Sequence, residues 1–531
     1  MEKKRFYITT PIYYPSAKLH IGHAYCTVLT DVFARNKRLR GYECYFLTGA
    51  DEHGQKIENN AAAAGKTPQQ FVDEIVEGFY KLWDLLKISN NDFIRTTQER
   101  HTKVVQDIFS KMLKNGDIYL GSYEGWYCTP CESFWTDTQV GPDHVCPDCG
   151  RPVQRASEEA YFFKAGKYVD KLLEFYDKNP LFLTPESRKN EMINTFIKPG
   201  LDDLCVSRTS FSWGIPIKEN PQHVIYVWLD ALTNYITALG YGSDDDSLFQ
   251  KYWQDPECEV IHILGADITR FHAIYWPMFL DSLGLRKPDR EFIHGLLMMK
   301  DSKMSKSKGN VIDPYPLVER YGVDAVRYYL TREVSFGSDG SFTPEQFVER
   351  INADLANSFG NLLNRTIGMM NKYFDGIIPT YQGKINPQDG ELESFINACI
   401  NSYEGAFDDL RITEAIVNVN EIVNRANKYI DETTPWVLVK EESSKDKLAS
   451  VLNHLANAIF VAATLYKPVL VEASDKALDQ LNVPQELRSY DNIHNFGCVG
   501  GVKVNVAEPL FPRLDPKIEV PFIADLMNGN K

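Results

Sequence analysis

The feature that most constrains the fold is an alternation of strands and helices that stops and later resumes. Buried strands are predicted at residues 5–10 and 44–48, and a helical stretch follows each of them. The pattern gives way at residues 116–222 to a segment rich in Gly, Pro, Cys and aromatic residues. It resumes with strands predicted at 223–227 and 260–264, each followed by a helix. The sequence therefore predicts a doubly wound parallel α/β sheet that is split by an inserted segment.

Local signals mark where the first strand should end and where a helical half should begin. Pro11 is expected to end the first strand, because proline has no backbone N–H to donate to a neighbouring strand. Far along the chain, Thr343-Pro344-Glu345-Gln346 is a capping box with proline at the first helical position. Apolar residues then recur every three or four positions to about Tyr466, with Gly376 as an early stop, which predicts a helical bundle.

These changes along the chain define five predicted segments. Two of them are halves of one sheet, because the insertion separates its strands. The segments are a first Rossmann-type half at 1–115, a connective insertion at 116–222, a second Rossmann-type half at 223–300, a loop region at 301–342 and an α-helical domain at 343–531.

The charge balance limits how the chain could bind nucleic acid. Its 531 residues include 57 Lys and Arg against 72 Asp and Glu, which gives a formal net charge of −15. This excludes binding by overall polycation attraction, so a nucleic-acid partner would have to be held by local patches. The first residues lack the apolar segment of a secretory signal, and no stretch is expected to approach the roughly 20 apolar residues of a membrane span. A cytoplasmic location is therefore expected.

Four of the ten cysteines have the spacing of a metal site. The pattern Cys128-x2-Cys131-x14-Cys146-x2-Cys149 is typical of a four-thiolate zinc knuckle. Four thiolates would complete the tetrahedron and leave no position for water, so such a zinc would be structural. A redox pair or unligated thiols are the alternative. The other six cysteines are scattered singly, as free thiols in a reducing compartment are.

Two short motifs have the chemistry to bind phosphate. The motif His20-Ile21-Gly22-His23 opens a helix predicted at 19–38, and it places two imidazoles and a glycine at a positively polarised helix N-terminus. The motif Lys303-Met304-Ser305-Lys306-Ser307 lies in the stretch 300–310, which has four lysines and one aspartate. Such a loop could stabilise charge on a departing pyrophosphate. Taken separately, the motifs could be an ordinary surface helix start and a solvated basic turn.

Two further predicted helices carry side chains that could line one cavity. Each helix follows a strand of the second half of the sheet, at the edge where α/β sheets bind ligands. Stripes of this kind more often belong to the core, and their position is what favours a pocket. The residues are Trp228, Ala231 and Tyr235 on the first helix, and Ile268, His272 and Trp276 on the second.

The two phosphate motifs, in this order, are the pair found in class I aminoacyl-tRNA synthetases, which the chain resembles. Within that class, the stretches 9–14 (TTPIYY), 48–54 (TGADEHG) and 226–231 (YVWLDA) resemble the methionyl-tRNA synthetases. The resemblance runs from about Phe6 into the helical bundle. It implies a methionine–tRNA ligase that uses ATP and Mg²⁺, acts on methionine and tRNA(Met), and holds one structural Zn²⁺. It also implies that 343–531 is an anticodon-binding domain and that 301–342 contacts the tRNA stem.

The resemblance further implies roles for individual residues. The catalytic residues would be His20, His23, Lys303 and Lys306. The ATP-binding residues would be His20, Gly22, His23, His294, Gly295, Lys303, Ser305 and Lys306. The methionine-binding residues would be Ile12, Tyr14, Asp51, Trp228, Ala231, Leu232, Tyr235, Ile268, His272 and Trp276, with Asp51 pairing with the ammonium group. The tRNA anticodon would be read by Asn361, Arg365 and Trp436, and zinc would be bound by Cys128, Cys131, Cys146 and Cys149.

Three other interpretations remain open at this point. A synthetase for leucine or valine would carry a large editing insertion, whereas the interval from His20 to Lys303 already contains the cysteine-rich segment and half the sheet. A nucleotidyltransferase that makes a coenzyme would have no use for the helical half. A non-catalytic zinc-containing RNA-binding module would not need two phosphate motifs. Because the chain ends without the appended tRNA-binding domain that dimerises some members of the family, a monomer is expected.

Overall fold

The described part of the chain has an α/β half and an α-helical half. The structure, a computed structural model, describes residues 3–130, 133–135, 137–299, 302–303, 311–333 and 337–527. It divides into two compact units that interleave along the sequence. The sheet unit comprises Met1–Leu19, Glu43–Leu82 and Asn90–Ile293, and the helical unit comprises His20–Tyr42, Trp83–Ser89 and His294–Lys531.

The strands belong to one central sheet and three small ones. In chain order, the described strands are β1 (Arg5–Tyr13), β2 (Glu43–Ala50), β3 (Asp92–Arg95), β4 (Ile118–Cys128), β5 (Ser133–Trp135), β6 (Gln154–Phe163), β7 (Leu183–Thr184), β8 (Leu204–Cys205), β9 (Ser207–Arg208), β10 (Val224–Ile225), β11 (Cys258–Gly265), β12 (Arg290–His294), β13 (Leu297–Met299), β14 (Ser302–Lys303) and β15 (Gly340–Ser341).

Helices occur along the whole described chain, and most of its second half is helical. In chain order, the described helices are α1 (Ile21–Leu39), α2 (Gln55–Ala63), α3 (Pro68–Leu85), α4 (Glu99–Lys114), α5 (Asp137–Val140), α6 (Val169–Lys178), α7 (Glu186–Glu191), α8 (Val227–Thr237), α9 (Ser247–Phe249), α10 (Trp276–Leu283), α11 (Pro314–Tyr321), α12 (Val323–Arg332), α13 (Pro344–Arg350), α14 (Asn361–Phe374), α15 (Pro387–Asp408), α16 (Ile412–Thr433), α17 (Pro435–Leu438), α18 (Lys445–Tyr466), α19 (Ala473–Gln480) and α20 (Pro516–Met527).

The central sheet has six strands in the order β3-β2-β1-β11-β12-β7. Strand β1 lies in its middle and pairs in parallel with β2 on one side and β11 on the other. The strands β2 and β3, which follow β1 in sequence, therefore lie on one side of it, and the later strands β11 and β12 lie on the other. This confirms the predicted split, parallel, doubly wound sheet, and it places the change of direction between β1 and β11, where such sheets bind ligands.

Pro11 does not end the first strand, contrary to the expectation from its missing N–H. Strand β1 continues to Tyr13, and its register against β2 shifts between Thr9 and Ile12. The extra residue forms a bulge, which tolerates proline because one residue of the bulged strand is left out of the ladder. Gly49 lies opposite on β2, and a Cβ there would lie 2.2 Å from the Ile94 carbonyl oxygen. The bulge carries the strand two residues further, toward the edge where the candidate site lies.

The segment predicted as a strand at 223–227 is not part of the central sheet. Only Val224–Ile225 is extended, as β10, and it pairs antiparallel with β9 inside the insertion. The helix α8 then begins at Val227. A short apolar run does not distinguish a central strand from a small antiparallel pair, which is why the sequence pattern was misleading here.

The helical unit contains the predicted bundle. The Thr343 hydroxyl accepts the Gln346 N–H at 3.2 Å, as a capping residue does. From Pro344 the chain stays helical through α13, a π-helical segment at Ile351–Gly360 and then α14. Residues Asp375 and Gly376, both with positive φ, end it.

One described helix, Glu442–Tyr466, has the length and apolar composition of a membrane span, although no such stretch was expected. All of its apolar window is buried inside the protein, and it contains α18, which packs against α16. Its apolar surface on all sides is therefore that of a central helix in the bundle.

Candidate active site

A cavity of about 240 Å³ lies at the carboxyl ends of the central strands in the sheet unit. Strand β1 contributes Ile12 just before its end and Tyr14 just after it, and Asp51 follows directly on the last residue of β2. Ile268 comes three residues after β11. Parallel strands end at one edge of a sheet, so three neighbouring strands deliver these side chains to one place.

Nine of the ten residues that were predicted to bind methionine line this cavity. They are Ile12, Tyr14, Asp51, Trp228, Ala231, Leu232, Tyr235, Ile268 and His272. The tenth, Trp276, is fully buried and supports the wall, with its ring centre 5.9 Å from that of Tyr235. Helical spacing thus identified five of the lining residues and one residue that supports them, and the family resemblance supplied Ile12, Tyr14, Asp51 and Leu232.

The cavity lining includes a histidine, His272, that burial keeps uncharged. The Nδ1 atom of His272 lies 3.1 Å from the Ile268 carbonyl oxygen, so it carries the proton and donates it. Its Nε2 atom then accepts from the Tyr235 hydroxyl at 2.8 Å. Burial lowers the pKa of His272 to about 4, so the ring is neutral at physiological pH. This end of the cavity therefore presents aromatic rings and neutral polar atoms.

A second buried histidine, His262, fixes the orientation of the aromatic wall. The Trp276 indole N–H donates to His262 Nε2 at 3.3 Å, and His262 Nδ1 lies 2.8 Å from the Thr9 hydroxyl. The rings of His262 and Tyr235 stack with centres 4.1 Å apart. Burial holds the pKa of His262 well below its usual value, so this ring is neutral as well. The rings around the cavity are thus held rigidly and without charge.

Several lining residues were not identified from the sequence. Trp228 of the lining stacks on Phe271, with ring centres 3.6 Å apart. From the helical turn that contains Phe271, helical spacing had identified only the next residue, His272. Lys56 lies in the first turn of α2, with its ammonium 5.8 Å from the centre of the Tyr14 ring. The full set of unpredicted lining residues is Pro11, Lys56, Pro130, Tyr226, Val227 and Asn234.

The cysteine cluster forms beside this cavity in the inserted segment. The Sγ atoms of Cys128, Cys146 and Cys149 lie within 4.8 Å of one another, and those of Cys128 and Cys149 are 3.6 Å apart. Cys128 ends β4, and Pro130, two residues later, lines the cavity. Three converging thiols fit a tetrahedral zinc site. The fourth predicted ligand, Cys131, lies outside the described residues.

The turn that carries two of these cysteines has the form of a ligand knuckle. The Cys146 N–H donates to the Arg151 carbonyl at 2.8 Å, and the Gly150 N–H donates to the Cys146 carbonyl at 2.8 Å. Gly150 has φ of 68°, which a glycine adopts without strain. A small apolar core formed by Trp135, Val140 and Val153 packs around the buried thiols. The backbone alone therefore brings the thiols together.

The first phosphate motif opens α1 in the helical unit. His20 is the N-cap, and its Nδ1 atom accepts the Gly22 N–H at 3.1 Å. In return, the His20 backbone N–H donates to His23 Nδ1 at 3.1 Å, and the two rings are 4.0 Å apart. Because each Nδ1 is an acceptor, a neutral ring carries its proton on Nε2. The motif therefore combines the positive end of a helix with two imidazole donors.

The predicted ATP-binding pair His294 and Gly295 lies beside the same helix. The His294 ring packs edge-on against Tyr25, two residues after His23, with centres 5.0 Å apart. At Gly295 a Cβ would lie 1.7 Å from the Ser338 carbonyl oxygen, so only glycine fits there. The backbone of Lys303 is in β14, while Ser305 and Lys306 lie outside the described residues.

The predicted anticodon residues lie on the surface of the helical unit. Asn361 is exposed at the start of α14, and Arg365, one turn later, lies 3.3 Å from the Asp431 carboxylate on α16. Trp436 is 44% exposed in the short helix α17, an unusual state for a tryptophan. An exposed indole and surface amide and guanidinium groups can stack on and hydrogen-bond to unpaired bases.

Comparisons with known proteins agree with the resemblance seen in the motifs. Residues 6–367 match the family model described as tRNA synthetases class I (M), and residues 378–519 match the anticodon binding domain of methionyl tRNA ligase. The methionine–tRNA ligase of Halalkalibacterium halodurans is 54% identical over all of this chain and 81% of its own length. The enzyme of the same name from Bacillus subtilis is 52% identical with the same coverage.

Solved structures give the same result. The methionyl-tRNA synthetase of Mycobacterium tuberculosis in complex with methionyl-adenylate superposes with a TM-score of 0.91 at 41% identity, covering 96% of this chain and all of that one. Its free form superposes with a TM-score of 0.85 at 38% identity. The fold class predicted from the sequence is thus confirmed. The chain belongs to the methionine–tRNA ligase family of class I tRNA synthetases.

Proposed function

We propose that this chain activates methionine with ATP and transfers it from the resulting methionyl-adenylate to the 3′ end of tRNA(Met). The observation that carries the proposal is the aromatic cavity at the sheet edge, whose lining contains the neutral His272 and two charged side chains, Asp51 and Lys56. A thioether gains roughly 0.3–1.5 kcal/mol from each contact with an aromatic ring. An ammonium group needs a carboxylate, and Asp51 supplies one at the rim of this apolar lining.

The chemistry requires positioning and charge stabilisation. The methionine carboxylate attacks the α-phosphate of ATP in line, and pyrophosphate leaves. We assign His20 and His23 to steady the phosphates, because their Nε2–H donors lie at a positive helix end. Lys303 and Lys306 would neutralise the departing pyrophosphate, with Mg²⁺ assisting. The ribose hydroxyl of the bound tRNA then attacks the adenylate carbonyl, and AMP leaves.

Amino-acid-dependent ATP–pyrophosphate exchange tests the proposal directly. With a panel of methionine, leucine, valine and isoleucine, we expect exchange with methionine alone, because the neutral aromatic wall favours a thioether over branched aliphatic chains. Charging of tRNA(Met) with labelled methionine should follow. Exchange with leucine or valine at a comparable rate would make the chain a synthetase for another amino acid. Pyrophosphate exchange that needs none of these amino acids would favour a nucleotidyltransferase.

We also propose that the cysteine cluster holds one structural Zn²⁺, with Cys131 as the fourth ligand. Three thiols that already converge, two of them buried, support this assignment over separate free thiols. The ion would stabilise the insertion next to Pro130, which lines the cavity. Zinc would act here by holding structure, since four thiolates leave it no open position.

Replacing Cys146 by serine should remove zinc from the purified full-length chain. Serine remains protonated at neutral pH and does not replace a thiolate ligand, so we expect metal analysis to fall from one zinc per chain to none. Cys44→Ser is the matched control, because Cys44 is a buried cysteine outside the cluster. Full zinc content in Cys146→Ser, or its absence from the unsubstituted chain grown with zinc, would refute the metal site.

In the helical unit, we propose that Asn361, Arg365 and Trp436 read the anticodon. Their exposure and their mostly neutral chemistry suit recognition by base edges and stacking, which is compatible with the net charge of −15. We also propose that the enzyme acts as a monomer. A cytoplasmic site of action suits its role in protein synthesis and its scattered free thiols.

A further inference from the structure

The loop that carries Asp51 is fixed on both sides by hydrogen bonds within the sheet unit. The Asp51 N–H donates to the Tyr13 carbonyl at 3.0 Å, which continues the β1–β2 pairing past the end of the strand. The next residue, Glu52, is fully buried, and its carboxylate accepts from Arg95 Nε at 2.6 Å. Its carbonyl accepts from the Trp213 indole at 2.5 Å. The backbone around Asp51 therefore has little freedom to move independently of these partners.

The residue after that, His53, joins this loop to a buried carboxylate on α8. His53 Nδ1 lies 2.7 Å from one oxygen of Asp230, and His101 Nε2 lies 2.7 Å from the other. His101 Nδ1 in turn lies 2.7 Å from the hydroxyl of Thr237, which is about two helical turns after Asp230 on α8. Asp230 and His101 are fully buried, and His53 is 5% exposed. One carboxylate thus joins a loop and two helices, α8 and α4.

Asp230 is held in its charged form in spite of its burial. Burial alone would raise the pKa of this carboxyl, but the neighbouring imidazoles of His53 and His101 hold it below its usual value. Hydrogen bonds to an ionised acceptor are stronger and more directional than neutral ones. The same helix carries Trp228 and Ala231 in the cavity wall, on either side of Asp230 in sequence. The charged link therefore connects two walls of the cavity.

We propose that Asp230 is a positioning residue for the methionine ammonium group. It fixes His53, and through His53 it sets the distance between Asp51 and the aromatic wall on α8. The inference rests on the proposed function, in which Asp51 pairs with that ammonium. A carboxylate that must meet a small cation in a confined cavity has to be placed within about 0.5 Å, and such precision comes from supporting hydrogen bonds of this kind. Asp230 itself does not line the cavity.

Two inhibitors that each lack one end of methionine test the proposal in the full-length chain. L-Methioninol keeps the ammonium and lacks the carboxylate, whereas 4-(methylthio)butanoate keeps the carboxylate and lacks the ammonium. In Asp230→Asn we expect methioninol to inhibit about tenfold less tightly, with binding of 4-(methylthio)butanoate unchanged. The KM for methionine should rise about tenfold while that for ATP stays constant. A loosened pocket of any other origin would weaken both inhibitors equally, and that result would overturn the proposal.

A double-variant cycle separates this inference from the function on which it rests. Asp51→Asn alone should weaken methioninol, and Asp230→Asn added to it should weaken methioninol no further. Additive losses would show that Asp230 does not act through Asp51. If Asp51→Asn leaves methioninol binding unchanged, the ammonium assignment itself is wrong.

A second variant and a control complete the test. His53→Gln removes the same link from its other side, so it should reproduce the selective loss of methioninol even if Asp230→Asn folds poorly. Equal weakening of both inhibitors in His53→Gln would overturn the proposal. Asp117→Asn is the matched control, because Asp117 is a buried carboxylate that accepts from Ser282 at 2.8 Å away from the cavity lining. It should leave the ratio of the two inhibition constants unchanged.

Discussion

Replacing His20 by asparagine is expected to lower the rate of methionyl-adenylate formation by about 10²–10³-fold, the usual loss for one donor to a transition-state oxygen. The reason is that His20 has two separable functions. Its Nδ1 atom caps α1 by accepting the Gly22 N–H, while its Nε2–H is the proposed donor to phosphate. Asparagine is among the best N-cap residues, so it should preserve the helix start and remove only the imidazole donor.

The rate should be measured as methionine-dependent ATP–pyrophosphate exchange, next to the thermal midpoint of the same preparation. The midpoint should stay near that of the unsubstituted chain, because the cap is retained. Thr343→Asn is the matched control, since Thr343 is also an N-cap residue of the helical unit and accepts the Gln346 N–H. It makes the same kind of cap exchange at the start of α13 instead of α1 and should not change the rate. Unchanged exchange in His20→Asn would remove His20 from the reaction.

Most of the cavity lining could be predicted because its residues follow local rules. Trp228, Ala231 and Tyr235 lie one or two turns apart on α8, so helical spacing places them together. Ile268 and His272 follow β11, a strand of the central sheet, whose carboxyl end is at the ligand-binding edge. The turn that carries Cys146 and Cys149 likewise forms through nearby backbone hydrogen bonds. The family resemblance then supplied roles that the spacing alone does not give, such as that of Asp51.

The residues that were missed reach the site from elements that sequence reasoning could not bring together. Pro130 enters the cavity wall from the cysteine-rich insertion, and no pattern in the sequence gives the path of that segment. At Pro11 a correct local rule gave a wrong limit, because a bulge left the proline out of the ladder and the strand continued. Asp230 reads as an acidic residue early in a helix, and its two histidine partners are more than a hundred positions away.

The helical unit contains a long-range ion pair that the sequence does not reveal. Asp31 on α1 and Arg327 on α12 are both fully buried, with Arg327 Nη2 2.7 Å from Asp31 Oδ2. The rest of the guanidinium group donates to backbone carbonyls of Leu86, Pro468 and Val469 at 2.8–3.1 Å. The Arg327 side chain thus links α1, whose N-cap is His20, to the segments that contain Leu86 and Pro468. Its hydrogen-bonding groups are satisfied, as a buried charge requires.

We expect Arg327→Met to lower the free energy of unfolding of the full-length chain by about 3–5 kcal/mol, the usual cost of removing one partner of a buried ion pair. Methionine fills much of the same space, so the loss would come from three carbonyls without a donor and from the Asp31 carboxylate, which keeps only Arg35 and Ser89 as partners. Urea unfolding at neutral pH measures it. Lys428→Met is the control: Lys428 makes a surface pair with Glu432 at 3.5 Å and is 72% exposed, so its removal should leave the urea midpoint unchanged.

The pH dependence of the loss identifies its origin. Burial alone would raise the pKa of Asp31, but Arg327, Arg35 and Ser89 hold it below its usual value in the folded chain. The pair therefore stabilises the protein above the unfolded pKa of about 3.9, and that contribution disappears as the pH falls through the lower folded value. In Arg327→Met the folded pKa of Asp31 should rise, because only Arg35 and Ser89 are left to offset its burial. The difference in stability between the two chains should thus be largest near neutral pH and should shrink on acidification, while a difference that does not vary with pH would point to lost packing.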